Sequence, residues 1–245
     1  MAKEFKIRNL PVIEILDNSR KIFKIYPVSC ALFALGHFLF LSLFELMNRW
    51  ESPFFIIWLS AYYMFGIYFY RYYFRRKPYF TLSITLKSLL PSTKIIFLTI
   101  VIVSFLLILP YIPLFVTNNT VLLEKYLDFL DIGMQKSKLI DFASNIFFVF
   151  ISPIILYRPF MAWIASLVGR KGSMRVAFGK TRGNYWNFFL LGLAMSFPFI
   201  IIGQLEFYYN LSNYLIWFLF GPLTVFYSIV FAKCYEFFYM GHEEE

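Results

Sequence analysis

The sequence predicts a single all-α integral membrane domain over residues 1–245, a polytopic transmembrane helix bundle with about six spans. Two observations predict it. Hydrophobic residues make up 60% of the 245 residues and charged residues only 15%, whereas soluble domains contain about 45–50% apolar and about 25% charged residues. The apolar residues also cluster in runs of about 20, the length of α-helix that crosses about 30 Å of hydrocarbon.

Five of the six predicted spans are clear from hydropathy. They are Tyr26–Phe44, Pro53–Tyr70, Ile95–Val116, Phe188–Gly203 and Tyr214–Ala232.

The fourth span in chain order has two alternative positions, and they differ in the place of Arg158. If the span is Leu139–Tyr157, Arg158 is an anchor at the membrane interface and Pro159 opens the next helix. If it is Ile146–Val168, the guanidinium starts near mid-membrane and must pair, snorkel or line a wet cavity. We favour the first position.

The basic residues predict the orientation. Of the 23 Lys and Arg residues, 19 fall on one side of the six spans and four on the other. Cytoplasmic loops of membrane proteins carry such an excess of positive charge. Both termini are therefore expected in the cytoplasm of a multi-pass cell-membrane protein.

A stretch that reads as an amphipathic helix precedes each odd-numbered span, with basic residues on its polar face. In the first stretch the apolar face is Val12, Leu16, Ser19, Phe23 and Tyr26, and the charged face is Glu14, Asp17, Lys21 and Lys24. The second, about Phe80–Leu90, is weaker. Such helices are typical of the cytoplasmic membrane interface.

The third amphipathic stretch precedes span five. Its apolar face is Met174, Ala177, Phe178, Thr181 and Tyr185, its basic face is Lys171, Arg175 and Arg182, and Gly183-Asn184 is the expected stop.

The three stretches suggest a threefold repeat with units 1–78, 79–158 and 159–245. A hydroxyl residue followed by a base occurs before each odd span, at Ser19-Arg20, Thr93-Lys94 and Thr181-Arg182. Self-similarity at a fixed period would indicate a duplicated architecture of three helical pairs. The alternative is that any span that starts in the cytoplasm carries basic residues before it.

Two sets of residues are candidates for function. The first is a basic cytoplasmic face that would bind anionic lipid head groups or a protein partner: Arg20, Lys21, Lys24, Lys171, Arg175, Lys180 and Arg182. The second is a set of polar residues that could approach membrane depth, His37, Asp141 and Arg158. His37 is either a packed, hydrogen-bonded side chain or part of a pathway.

No catalytic or cofactor signature is present in the sequence. It contains no H-E-x-x-H, no zinc-type cluster of Cys and His and no G-x-S-x-G. We therefore expect neither an enzyme nor a cofactor or metal site, and the positive charge predicts contact with membrane lipid and not with nucleic acid.

One stretch, from Pro153 to Pro198, carries a recognisable pattern. An amphipathic helix ends in a hydroxyl–base–glycine turn, Thr181, Arg182 and Gly183, and the aromatic Trp186 opens the next span. This resembles a class of bacterial inner-membrane proteins, the YciC-like proteins and the membrane domain of some glycerophosphodiester phosphodiesterases. The resemblance implies an architecture and a bacterial inner membrane. It does not extend to the phosphodiesterase domain.

These expectations combine into a functional prediction. The chain is expected to be a membrane-organising, scaffold or accessory protein whose basic helices contact anionic lipid, a protein partner or a second copy of the chain. The alternative is a small-solute transporter or channel that uses His37 and Arg158.

Overall fold

The computed structural model describes residues 9–46, 54–75, 82–108, 152–170, 172–209 and 211–240, and every regular element within them is helical. The helices are α1 (Val12–Ile25), α2 (Pro27–Leu46), α3 (Phe54–Tyr73), α4 (Leu82–Ile108), α5 (Ser152–Ile155), α6 (Tyr157–Leu167), α7 (Met174–Lys180), α8 (Tyr185–Tyr209) and α9 (Asn213–Tyr235), followed by a π-helical turn at Glu236–Met240. The all-α prediction is confirmed for this part of the chain.

Three of these helices are long and apolar enough to cross a membrane. These segments are Thr85–Ile102 in α4, Tyr185–Leu205 in α8 and Asn213–Met240, which comprises α9 and the π-helical turn. Helices α1 and α2 provide a fourth candidate if this bent pair forms one span. The chain is thus a helical protein with three to four candidate membrane helices in its described part. The predicted second span corresponds to α3, which is less apolar because it contains six tyrosines and Arg71.

The packing of α2 against α9 forms one side of the bundle. The two helices run in opposite directions, because Ala34 lies beside Gly221 while Phe38 meets Phe218 with ring centroids 5.9 Å apart. A Cβ atom added to Gly221 would lie 2.7 Å from the carbonyl oxygen of Ala34. Glycine therefore permits a close backbone approach, as small residues do between membrane helices.

Helix α6 occupies the centre of the bundle. Met161, Ala162, Ile164, Ala165 and Leu167 on it are completely buried, and it packs against α3, α4, α7 and α9. A helix that is apolar on all sides buries every face. The helix starts at Tyr157 with a proline in its first turn, where the missing N–H is not needed.

Helix α1 crosses α9 and meets α2 at a bend of 97°. The bend falls at Tyr26, because the residue before a proline is driven out of helical backbone and α2 begins at Pro27. Ile15 and Ser19 are buried, and Phe23 contacts Phe226 of α9. The predicted amphipathic helix is therefore present, and the part of its apolar face around Ser19 and Phe23 packs on the protein, whereas Tyr26 is exposed.

The second predicted amphipathic stretch is not a separate helix. The described part of Phe80–Leu90 and of span three belongs to one continuous helix, α4, which passes through Pro91. Side-chain hydroxyls near the proline bond back to carbonyl oxygens, with Ser88 Oγ 2.8 Å from Thr85 O and Ser92 Oγ 2.8 Å from Ser88 O. Membrane helices tolerate proline where such groups satisfy the backbone.

The third amphipathic stretch forms the short helix α7, which ends at Lys180. Gly183 has a φ of +83°, a conformation that favours glycine, and lets the chain turn into α8. Asn184 is buried and its Oδ1 accepts hydrogen bonds from the backbone N–H of Leu10 at 2.6 Å and from Asn187 Nδ2 at 3.1 Å. This turn thereby ties the start of the described chain to the start of α8.

Candidate functional site

The end of the bundle that contains α7 and the π-helical turn concentrates the basic residues, and we call it the basic end. Arg158, in the first turn of α6, is its most buried base at 3% exposure. Its Nε donates to Thr181 Oγ1 at 2.8 Å and its Nη2 to the carbonyl oxygen of Phe178 at 2.7 Å. The guanidinium carbon lies 4.5 Å from the ring centroids of both Phe178 and Tyr185.

This environment explains how a charged group is buried here. The Phe178 carbonyl belongs to the last turn of α7, where the helix dipole places partial negative charge. The two aromatic faces add cation–π attraction. Among the described residues Arg158 has no carboxylate partner. Aromatic rings and the end of α7 therefore enclose the guanidinium. The position of Arg158 relative to the membrane stays a prediction.

Three further basic residues donate to carbonyl oxygens near helix ends. Arg71 Nη1 donates to Leu167 O at the end of α6 at 2.9 Å. Arg170 Nη1 donates to Tyr239 O at 3.1 Å, and Lys180 Nζ to Phe238 O at 3.4 Å, both in the π-helical turn after α9. Cations are favoured at helix C-termini. Together with Arg158 we call these the inward bases.

Lys180 was predicted to contact lipid or a partner, which stays a prediction, and the structure shows contacts of this side chain within the protein. Its Nζ also lies 4.7 Å from the ring centroid of Tyr239, so the side chain folds onto the π-helical turn. The sequence predicted none of the inward contacts of Arg71 or Arg170. The only available signal was a base close to a predicted helix end.

A second set of bases is exposed, and we call it the outward bases: Arg20, Lys21, Lys24, Arg175 and Arg182. On α1, the carboxylate of Asp17 binds Arg20 at 2.9 Å and Lys21 at 2.7 Å. The hydrogen bond from Lys21 holds the pKa of Asp17 below its usual range. With Glu14 also exposed, α1 carries three bases against two acids, so its net charge is small.

The chain segment around α7 is different because its sequence contains no acid, and Glu236 in the nearby π-helical turn is paired with Lys233. Between Asp141 and Glu206 the sequence has no Asp or Glu, and Arg175 and Arg182 project from α7 and the turn after it. Beside them Trp186 is 66% exposed at the start of α8. Exposed tryptophan next to arginine is typical of the level where a membrane meets water. Lys171, the remaining base predicted for this face, and Asp141 lie outside the described residues.

His37 lies on α2 inside the bundle. It is 6% exposed, and its Nε2 is 3.0 Å from Thr224 Oγ1 on α9. It also lines a cavity of about 360 Å³ between α2, α3, α6 and α9. The ring is thus packed and hydrogen-bonded, and it borders a partly open cavity. A role of His37 in a pathway stays a prediction.

The sequence did not predict the other polar residues of this region. Thr224 and Ser228 are four residues apart on α9. This spacing places two hydroxyls on one face of an apolar span, and it is the sequence pattern that could have indicated a polar site there. Tyr63 on α3 joins a second polar group, with its hydroxyl 2.7 Å from Ser88 Oγ and 3.2 Å from Trp163 Nε1.

Comparison with known proteins identified no relative of this chain. No protein-family model, no curated protein and no solved structure matches this chain.

Proposed function

We propose that this chain is a non-enzymatic membrane-organising protein that holds anionic lipid head groups at its basic end. The observation that carries the proposal is the acid-free segment around α7, which presents Arg175 and Arg182 to the outside next to the exposed Trp186. Each base near an anionic membrane surface is worth about 1 kcal/mol. The bases of α1 contribute less, because Asp17 pairs with two of them.

The proposal includes an architecture that is finer than the described helices. The chain would have six spans with both termini in the cytoplasm of a bacterium, as the 19 to four division of basic residues and the resemblance to YciC-like proteins suggest. In the first and third of the proposed repeat units a short amphipathic helix and a turn precede a long apolar helix, and in the third unit most of α6 lies before them. The second unit departs from this pattern because α4 is continuous.

The proposal is tested by lipid selectivity. The protein is reconstituted in phosphatidylcholine with a minor fraction of phosphatidylglycerol, and the association of spin-labelled forms of the two lipids is compared. The original chain should prefer phosphatidylglycerol several-fold. Replacing Arg175→Gln and Arg182→Gln together should remove most of that preference, because two exposed positive charges are lost.

The matched control is the pair Arg175→Lys and Arg182→Lys, which keeps both charges and should keep the preference. Equal selectivity in the original chain and in the double glutamine variant would overturn the proposal. If that variant instead lost a co-purifying protein while its lipid selectivity stayed the same, the basic end would be a site for a protein partner.

The alternative function is small-solute transport, and the cavity beside His37 favours it. Arg158 contributes little to it because its donors are engaged by Phe178 and Thr181. In vesicles that contain a pH-sensitive dye, a transporter of this kind would give a proton or solute leak that His37→Leu abolishes. The lipid-organising proposal predicts no leak above that of empty vesicles.

A further inference from the structure

The cavity beside His37 has walls that are aromatic and uncharged. Its lining includes Phe33, Phe65, Phe69, Tyr70, Phe160 and Trp163, and among the described residues that line it none is Asp, Glu, Lys or Arg. A charged ligand would lose its hydration there without a counter-ion, so a neutral occupant is favoured. Aromatic walls select flat rings, which stack or pack edge to face against them.

His37, Thr224 and Ser228 are the polar residues on the α2–α9 side of the cavity, while Tyr63, Tyr70 and Trp163 bring further polar atoms from α3 and α6. Thr224 Oγ1 is 3.0 Å from His37 Nε2, and the Ser228 hydroxyl, one turn further along α9, donates to Thr224 O at 2.9 Å. A hydroxyl that donates one hydrogen bond keeps lone pairs with which it accepts others. One edge of a bound ring would therefore meet hydroxyl groups while its faces meet aromatic side chains.

The size of the cavity limits the occupant further. About 360 Å³ is at the low end of the range of small-molecule pockets, roughly 300–1,000 Å³. This space suits a single substituted ring better than a whole lipid.

We propose that this cavity is a binding site for a neutral, lipid-soluble aromatic molecule that carries a hydroxyl on its ring, as phenols do. The ring lies between the aromatic side chains of α3 and α6, and its oxygen points to the hydroxyls of Thr224 and Ser228. The site is separate from the basic end, so it goes beyond the lipid-organising function.

Gly66 gives a direct way to fill the site. It lines the cavity, and a Cβ atom added there would meet only Trp163, at an ordinary contact distance of 3.7 Å. Gly66→Leu therefore occupies the space without a backbone clash, and leucine is a better helix former than glycine. Gly203→Leu is the matched control, because nothing lies within 4 Å of the Cβ position of Gly203 on α8.

The experiment titrates the purified full chain with a short-chain alkyl phenol and follows tryptophan fluorescence and thermal stability. The original chain and Gly203→Leu should bind one molecule saturably, and Gly66→Leu should bind at least about tenfold more weakly. Thr224→Val, which removes a hydroxyl with little change of volume, should weaken binding by about tenfold, the effect of one lost hydrogen bond.

A plain alkane of matched chain length serves as the second probe and should not compete. Three outcomes would overturn the proposal: no saturable binding to the original chain, equal affinity in Gly66→Leu, or equal competition by the alkane. If Gly66→Leu fails to fold, the comparison of Thr224→Val with the original chain decides, and equal affinities would overturn it.

Discussion

The inward and outward bases of the basic end are alike in charge and close in sequence, yet they do opposite things. Arg158 and Lys180 direct their cationic groups to the last carbonyls of α7 and of the π-helical turn. Arg175 and Arg182, only a few residues away, project outward. The difference teaches that an excess of positive charge on one side of a membrane protein can serve to close helix ends as well as, in our proposal, to contact lipid.

Bases that close helix ends affect the free energy of unfolding, whereas bases that contact lipid would affect which lipids surround the protein. A carbonyl at a helix end has no intrahelical partner, so a buried one needs a donor. A guanidinium supplies several donors in a fixed plane and remains charged at any physiological pH. Replacing an inward base should therefore unfold the bundle more easily, whereas replacing an outward base should change only the lipid that the protein attracts.

The largest effect is expected for Arg158→Leu. It removes the donors to Phe178 O and Thr181 Oγ1 and the packing of the guanidinium between two rings, so the free energy of unfolding should fall by about 2–4 kcal/mol. The matched outward change, Arg175→Gln, should alter it by less than about 0.5 kcal/mol. Unfolding in mixed micelles with increasing denaturing detergent measures both, and equal losses would remove the distinction between the two sets.

The same contrast between inner and outer positions applies to glycine. Gly221→Ala places a methyl group against the carbonyl of Ala34 and should lower the free energy of unfolding by about 1–3 kcal/mol. The methyl group of Gly203→Ala would have no atom within 4 Å. This change should leave the free energy of unfolding the same or raise it by up to about 1 kcal/mol. Both variants can be compared by thermal unfolding in one detergent. A more stable Gly221→Ala protein would show that α2 and α9 are not closely packed there.

Lys180 lies between Arg175 and Arg182 in the sequence, yet its side chain belongs to the inward bases. Its replacement therefore tests whether the two sets differ in function. Lys180→Met keeps much of the side-chain length and removes the charge that faces Phe238 O and the Tyr239 ring. Unfolding should become easier by about 0.5–1 kcal/mol, the value of a cation at a helix C-terminus, and the selectivity for anionic lipid should stay the same. The reverse result would place Lys180 among the outward bases.

The smallest effect is expected for Asp17→Asn on α1. It releases Arg20 and Lys21 from their ion pairs and should raise the preference for phosphatidylglycerol by no more than about fivefold. The pKa of Asp17 is lowered in the folded chain, so its ion pairs are intact at neutral pH and are lost only as the pH falls through that lowered value. Acidification through that pH should give the original chain the same gain in preference, and the variant should show none. A decrease in the variant's preference would contradict this role of Asp17.

The sequence predicted those parts of the fold that depend on local pattern. Apolar runs predicted α2, α3, α8 and α9 to within a few residues, and the spacing of Ser19 and Phe23 predicted the buried face of α1. These features follow from helical periodicity, which neighbouring residues already determine.

Contacts between distant segments were not predictable in the same way. Nothing near Arg158 in the sequence shows that α7 will end against it, and nothing near Leu10 shows that Asn184 will accept its N–H. The cavity beside His37 is also a product of packing, because its walls come from four helices that are far apart in the chain. The continuity of α4 through Pro91 was missed because proline is usually read as a helix end.

The central claim is that the outward bases around α7 attract anionic lipid by charge. The most direct measurement counts the phosphatidylglycerol and phosphatidylcholine molecules retained on the purified full chain by native mass spectrometry, at low and at physiological ionic strength. We expect more phosphatidylglycerol than phosphatidylcholine at low salt, and a clear loss of that excess at higher salt, since exposed charges are screened within about 8–10 Å at such concentrations. Equal retention of the two lipids, or an excess that salt does not change, would contradict the claim.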